Sequence, residues 1–264
     1  MPYYVKVILL GVATGFLSGQ FGVGGGIIAT PGIRLVLGGS ELIALGTPLV
    51  VMIPAVMSGA YVYRRNDLID YGLVLPLAIS GIFGIALGSL VTAFVSAHFL
   101  MLVTAFIILI LGLRFMAAQI EGTGEQSGYV EEVDHGELRS MIFLIGFSCG
   151  FFAGFLGLGG GVLLVPAINM ILRRNLKKAF GTSLLVIAFY AIPGSIFHFL
   201  LGHVDLNIAL LLILGTIPGA YLGARSTVRL PTSFVKSLFG LFLIAVAIYF
   251  IYYEILAMML KVKI

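Results

Sequence analysis

Two short runs carry the strongest chemical signal in the chain, Gly22-Val-Gly-Gly-Gly26 and Gly157-Leu-Gly-Gly-Gly161. Glycine allows positive φ and lets a ligand come close to the main chain. An apolar stretch follows each run, so a helix is predicted to start near Gly25 and near Gly160. The first N–H groups of a helix have no partner inside it and sit at the positive end of its dipole. Such a place suits a small anion. The backbone around Gly24, Gly25 and Gly26, and around Gly159, Gly160 and Gly161, is therefore the first candidate site. Hydroxyls come next: Thr47 and Thr182 each follow a glycine in matching positions, and Ser183 follows Thr182. Gln20 and Asn169 flank the two runs.

Other chemistries fit less well. No Asp, Glu, Lys or Arg falls in the middle of an apolar segment, whereas a cation site inside a membrane usually shows a carboxylate. The single cysteine, Cys149, excludes a disulfide framework and a multi-cysteine metal site, and nothing calls for a cofactor. Gly146-Phe-Ser148-Cys-Gly150 matches G-x-S-x-G, but a nucleophile elbow needs a strand-to-helix turn and this stretch reads as helix. No catalytic residue is expected. His198, near the end of a segment, is placed to sense protons or to sit at an interface. Asp70 and Asp205 each precede a segment, where a carboxylate caps a helix.

The elements that must hold these residues follow from composition. Only 10% of the 264 residues are charged and mean hydropathy is +1.16, against about 25% charged in soluble domains. The apolar runs are continuous rather than alternating, so the class is an all-α polytopic membrane protein and not a barrel. Nucleic acid is not a partner this pattern suits; the lipid bilayer is, and a second copy of the chain is a candidate.

Residues 11–88 align with 146–223 at a constant offset of 135, without a gap and with 24 identities in 78 positions. The matches include Pro31 with Pro166, Gly46-Thr47 with Gly181-Thr182, and Asp70 with Asp205. This predicts two repeats, 1–118 and 139–264, joined by a polar acidic linker at 119–138. Each repeat has four apolar segments: 5–37, 42–63, 71–95 and 98–118, then 140–172, 179–200, 206–224 and 234–258. The first of each is too long for one span and is broken at its glycine run. Pro31 and Pro166 are expected to kink or shorten the helix after the break.

Lys and Arg favour the cytoplasmic side. If all eight segments cross, the fifteen basic residues divide seven to eight, which is no bias. If both broken segments enter and return as hairpins of two short helices, only Lys6, Arg34, Lys261 and Lys263 lie on one side and eleven lie on the other. The expectation is therefore inverted repeats with both termini outside and the linker in the cytoplasm. Irregular backbone at membrane depth survives only where protein buries it or a cavity receives it. Two such breaks in matching positions point to a transporter binding site.

The duplicated unit Gly15–Pro31 and Gly150–Pro166, each followed by a Gly-Thr pair, resembles the TauE/SafE family of sulfite exporters and sulfonate permeases. The likeness covers nearly the whole chain; Pro48 stands where the second copy has Ser183. It implies a prokaryotic inner-membrane transporter of small sulfur-containing oxyanions of the sulfite, sulfonate or thiosulfate class, working by export. The alternatives are an anion channel and a non-transporting membrane scaffold.

Overall fold

The computed structural model describes residues 2–92, 97–120, 135–156 and 161–261. Their regular structure is all helical. The first half contains α1 (Tyr3–Phe21), α2 (Gly26–Val36), α3 (Glu41–Arg64), α4 (Tyr71–Thr92) and α5 (Ala97–Ile120). The second contains α6 (His135–Leu156), α7 (Gly161–Pro166) with a π turn over Ala167–Ile171, α8 (Leu176–Leu200), α9 (Leu206–Arg229) and α10 (Thr232–Lys261). Helices α2, α3, α4 and α5 start 135 residues before α7, α8, α9 and α10. Residues 121–134 of the predicted linker lie outside the described residues, and its two ends belong to α5 and α6.

Six helices are long and apolar enough to cross a membrane: Tyr3–Phe21, Leu42–Arg64, Tyr71–Gly88, Leu176–Leu200, Leu206–Arg229 and Thr232–Tyr252. This set includes α1, which the sequence reading treated as one short arm of a hairpin. Its 19 residues span about 28 Å at 1.5 Å per residue. Among the described residues the fifth helix contributes the apolar stretch Ala105–Ala117. Large apolar side chains stand exposed along these helices, among them Phe83, Leu90, Phe106, Leu144, Leu210 and Leu214. A soluble monomer rarely shows such faces; here the bilayer is their solvent, and the chain is a multi-pass membrane protein.

Small-residue seams set the packing. A methyl at Gly11 would lie 2.5 Å from the Leu212 carbonyl oxygen, at Gly15 2.7 Å from Thr216 Cα, and at Gly19 2.8 Å from Ala220 Cα. The contact numbers rise together, so α1 and α9 run parallel at backbone contact. Helices α4 and α6 repeat this, with Gly146 against Leu77 and Gly150 against Gly81. The G-x-S-x-G match is therefore one edge of a helix seam. Helices α5 and α10 run antiparallel, Gly112 meeting Ile244 and Gly240 meeting Met116.

The second arm of the first broken segment doubles back. Gly25 lies against Thr14 and Gly32 against Leu10 of α1, so α2 returns along the helix that precedes it. Pro31 sits inside α2, which continues to Val36. In the second copy, α7 lasts six residues, and the π turn follows directly on Pro166. Proline removes one N–H and crowds the preceding turn, and the wider π turn accommodates the change of pitch.

Candidate functional site

The first break is built by left-handed backbone. Gly22 ends α1 at φ 64° and donates its N–H to the Ser18 carbonyl at 2.9 Å. Gly24 follows at φ 73°. A side chain at Gly22 would strike Phe180 Cα and Ser183 Oγ, both 2.7 Å away. Phe21 anchors the break in an aromatic core, stacked on Phe242 at 4.7 Å between ring centroids and packed on Phe239 at 5.5 Å. The Ser183 hydroxyl donates to the Gly22 carbonyl at 2.6 Å, with the Phe180 carbonyl at 2.9 Å.

The first break meets the start of α7. Gly161, the first residue of α7, abuts the Val23 carbonyl, and a methyl there would also lie 2.6 Å from Ile187 Cδ1. A methyl at Gly24 would lie 2.5 Å from Met52 Cε and 3.3 Å from Ile187 Cγ2. Met52 and Ile187 stand 135 residues apart, one on α3 and one on α8, so the same position of each copy walls the junction. Gly159 and Gly160 lie outside the described residues.

Helix α2 opens at this junction. Gly25, its N-cap, has ordinary helical backbone and no side-chain cap. Its carbonyl takes the Ala29 N–H at 2.9 Å and the Ile28 N–H at 3.2 Å, so the N–H groups of Gly26 and Ile27 precede the first intrahelical bonds. The Thr14 methyl lies 2.8 Å from where a Gly25 side chain would begin. Thr14 is 1% exposed and Ser18, one turn along, 0%, and neither hydroxyl has a hydrogen-bond partner. An unpaired buried polar group costs about 1–3 kcal/mol. Every buried polar side chain among the described residues is a hydroxyl or an amide, and none is charged.

A model of the sulfite exporter TauE/SafE family matches residues 7–250. The chain belongs to this family. Among its relatives, the probable membrane transporter protein YunE of Bacillus subtilis is 29% identical over 94% of this chain and 97% of its own. A probable membrane transporter protein of Xylella fastidiosa strain Temecula1 is also 29% identical, over 92% of both chains. The probable membrane transporter protein MJ0441 of Methanocaldococcus jannaschii is 24% identical over 90% of this chain and 94% of its own. No solved structure matches. The TauE/SafE chain is thus a membrane transporter.

The structure sorts the remaining candidates. In this TauE/SafE protein, Thr47 and Thr182 lie away from the junction and tie the two halves together. Thr47 Oγ1 accepts the Asp205 N–H at 3.1 Å, and Thr182 Oγ1 accepts the Asp70 N–H at 2.9 Å. Gln20 is buried, and its carbonyl receives the Thr227 hydroxyl at 2.8 Å and the Tyr63 hydroxyl at 3.3 Å. Asn169 holds a turn instead of a ligand, donating from Nδ2 to the Arg174 carbonyl at 2.8 Å. Asp205 caps α9 as expected, accepting the N–H groups of Asn207 and Ile208 at 2.9 and 3.0 Å. Asp70 Oδ2 lies 3.0 Å from Arg174 Nε. His198 lies beside His203, ring centroids 5.5 Å apart, at the end of α8 remote from Arg174.

Thr14 and Ser18 were not anticipated from sequence. The available signal was a pair of hydroxyls four residues apart on the last turns before the break, facing one way on a helix. It was masked because the matching positions hold Cys149 and Ala153.

Proposed function

We propose that this TauE/SafE transporter exports small sulfur-containing oxyanions across a prokaryotic inner membrane by alternating access. The observation that carries the reading is this junction. Irregular backbone at Val23–Gly25 meets the start of α7, and the N-terminus of α2 opens into the same place. Positive dipole, unpaired N–H groups and hydroxyls, with no charged side chain buried nearby, favour an anion over a cation. An inside-negative potential favours its exit by about 2.3 kcal/mol per charge per 100 mV.

The two halves act as inverted repeats on this reading. Helix α1 shares its direction with α9 and α6 shares its direction with α4. The Asp205–Thr47 tie joins the start of α3 to the start of α9, and the Asp70–Thr182 tie joins the start of α4 to the start of α8. At the latter end lie Arg64, Arg65, Arg173, Arg174, Lys177 and Lys178, so that end faces the cytoplasm. Rocking one repeat on the other would break one tie while keeping its counterpart. The Asp70–Arg174 contact closes the cytoplasmic end; at the outer end Gly39 stands where an arginine would be needed.

Purified protein in proteoliposomes tests the reading. Saturable sulfite or sulfonate counterflow is expected from the parent protein. Gly25→Ala should remove it, because a methyl there lies 2.8 Å from Thr14 Cγ2 and displaces that side chain, while φ −82° and ψ −12° suit alanine; the Tm measured alongside separates lost function from lost fold. Non-saturable flux would mean a channel, and no flux of any sulfur anion would overturn transport; full flux in Gly25→Ala would overturn the site.

A further inference from the structure

We infer that the anion is held on one side of the junction only, by Thr14, Ser18 and the start of α2, and that this site selects singly charged oxyanions. The inference rests on the transport reading above and sharpens its substrate class. A membrane-helix Ser or Thr ordinarily turns its hydroxyl to a carbonyl of the preceding turn. Here Ser80 donates to the Pro76 carbonyl at 2.7 Å and Ser226 to the Gly223 carbonyl at 2.8 Å. Thr14 and Ser18 do not, although both are fully buried and sit on the helix against which α2 returns. Ser195 is the other buried hydroxyl without a partner, and it lies on α8, towards the end away from Ser183. Two unpaired O–H groups stand one turn apart on α1, and the methyl of Thr14 packs against Gly25 at the start of an 11-residue helix; together with the first N–H groups of that helix they make a donor set that lacks its acceptor.

The second copy cannot build the same set. Cys149 and Ala153 occupy the positions of Thr14 and Ser18, and α7 runs only six residues before the π turn. The site is therefore single, although the sequence around it is duplicated.

Its charge capacity is limited. The helix start offers about half an elementary charge, and the other donors are dipoles. Met52 and Ile187 line the junction with hydrocarbon. The cost of dehydrating an ion rises as the square of its charge, and a second negative charge meets no cation among the buried groups. A sulfonate or hydrogen sulfite fits, its non-oxygen side against the apolar wall, whereas sulfate and thiosulfate carry one charge too many.

The experiment uses methanesulfonate and sulfate, matched in size and differing in charge, as ligands for the full-length protein in detergent, with affinity read by titration and flux in liposomes. Methanesulfonate should bind at least tenfold more tightly than sulfate. Thr14→Val and Ser18→Ala should each weaken it about 10–100-fold, the range for a hydrogen bond to a charged group. Thr14→Ser should restore binding, and Cys149→Ala should leave it unchanged. Equal affinity for sulfate, parent-like affinity in Thr14→Val and Ser18→Ala, or no binding of either anion would overturn the inference. Flux that persists in those two variants with unchanged half-saturation overturns this site and leaves transport standing. Binding lost in the variants without flux in the parent overturns transport and leaves the site standing.

Discussion

Breaking the Asp70–Arg174 contact should open the end of the protein that the proposed orientation places in the cytoplasm. Arg174 Nε lies 3.0 Å from Asp70 Oδ2, with side chains 32% and 23% exposed. At an effective dielectric of about 20 the bare attraction at that distance is about 5 kcal/mol. Partial exposure, dehydration and lost rotamer freedom cancel most of it, leaving about 1–2 kcal/mol, since exposed pairs keep less and buried charge-assisted bonds somewhat more. That is a factor of roughly 5–30 in the ratio of closed to open cytoplasmic ends. Ile69, 8% exposed and adjacent to Asp70, is the reporter. In a Cys149→Ser background, Ile69→Cys should react slowly with an impermeant maleimide in inside-out vesicles. Asp70→Asn or Arg174→Gln should raise that rate about 5–30-fold, and the exchange Asp70→Arg with Arg174→Asp should bring it back down. Combining the two neutralising changes should add little to either alone, because each removes the same interaction. Rates within twofold of one another across the whole set would refute the argument that this pair holds the end closed.

Three further outcomes follow from the packing. Gly15→Ala sets a methyl 2.7 Å from Thr216 Cα, against backbone that cannot step aside; a loss of about 1–3 kcal/mol is expected, read as a fall of about 2–12 °C in the detergent Tm. Arg173 holds φ 50° where the first copy has Gly38 at φ 67°, and a non-glycine residue in that region costs about 1–2 kcal/mol. Arg173→Gly should therefore raise the Tm by a few degrees, and unchanged or lower stability would count against strain there. Lys177 Nζ donates to the Leu230 and Val228 carbonyls at 2.7 and 3.1 Å, closing the end of α9; Lys177→Met should cost about 1–3 kcal/mol, and a Tm within a degree of the parent would show that water does the work equally well.

The glycine breaks were legible from sequence because three consecutive glycines serve no packing purpose that one could not serve, and the structure places Gly24, Gly25 and Gly161 at one junction. The hydroxyls were not legible. Thr182 and Ser183 are neighbours on α8, and successive helical side chains point about 100° apart. They cannot face the same place, and only Ser183 reaches the break, while Thr182 turns to Asp70. Composition and spacing give no means to choose between them, because the choice depends on how α8 is rotated against α1 and α4. Asn169 failed for a related reason. It lies eight residues past Gly161, so it is near the break in sequence but at the far end of the short helix, where it braces the turn carrying Arg174.

That turn shows how a duplicated backbone can serve a directional task. Residues 39 and 174 each donate their N–H to a carbonyl six residues back, Gly39 to Ile33 at 3.0 Å and Arg174 to Ile168 at 3.1 Å. Residues 38 and 173 both hold positive φ. At this turn the main chain takes the same path in the two copies, and the side chains differ. Glycines take that path without strain, yet the second copy keeps Arg173 in a conformation that L-residues avoid and so delivers Arg174 to Asp70. The same contrast holds at the junction, where Thr14 and Ser18 face Cys149 and Ala153 across the offset. On the proposed reading, matched backbone makes the two end states similar in energy, as rocking requires. The unmatched side chains then break the tie: one pair weights the cytoplasmic end towards closure, and one hydroxyl pair puts the anion on the α1–α2 side. Replacing Arg173 and Arg174 together by glycine would remove the first bias and leave the second intact, so Ile69→Cys should become reactive while methanesulfonate affinity stays within about twofold of the parent. A joint loss would mean that closure and binding are one event, and the separation argued from these residues would fail.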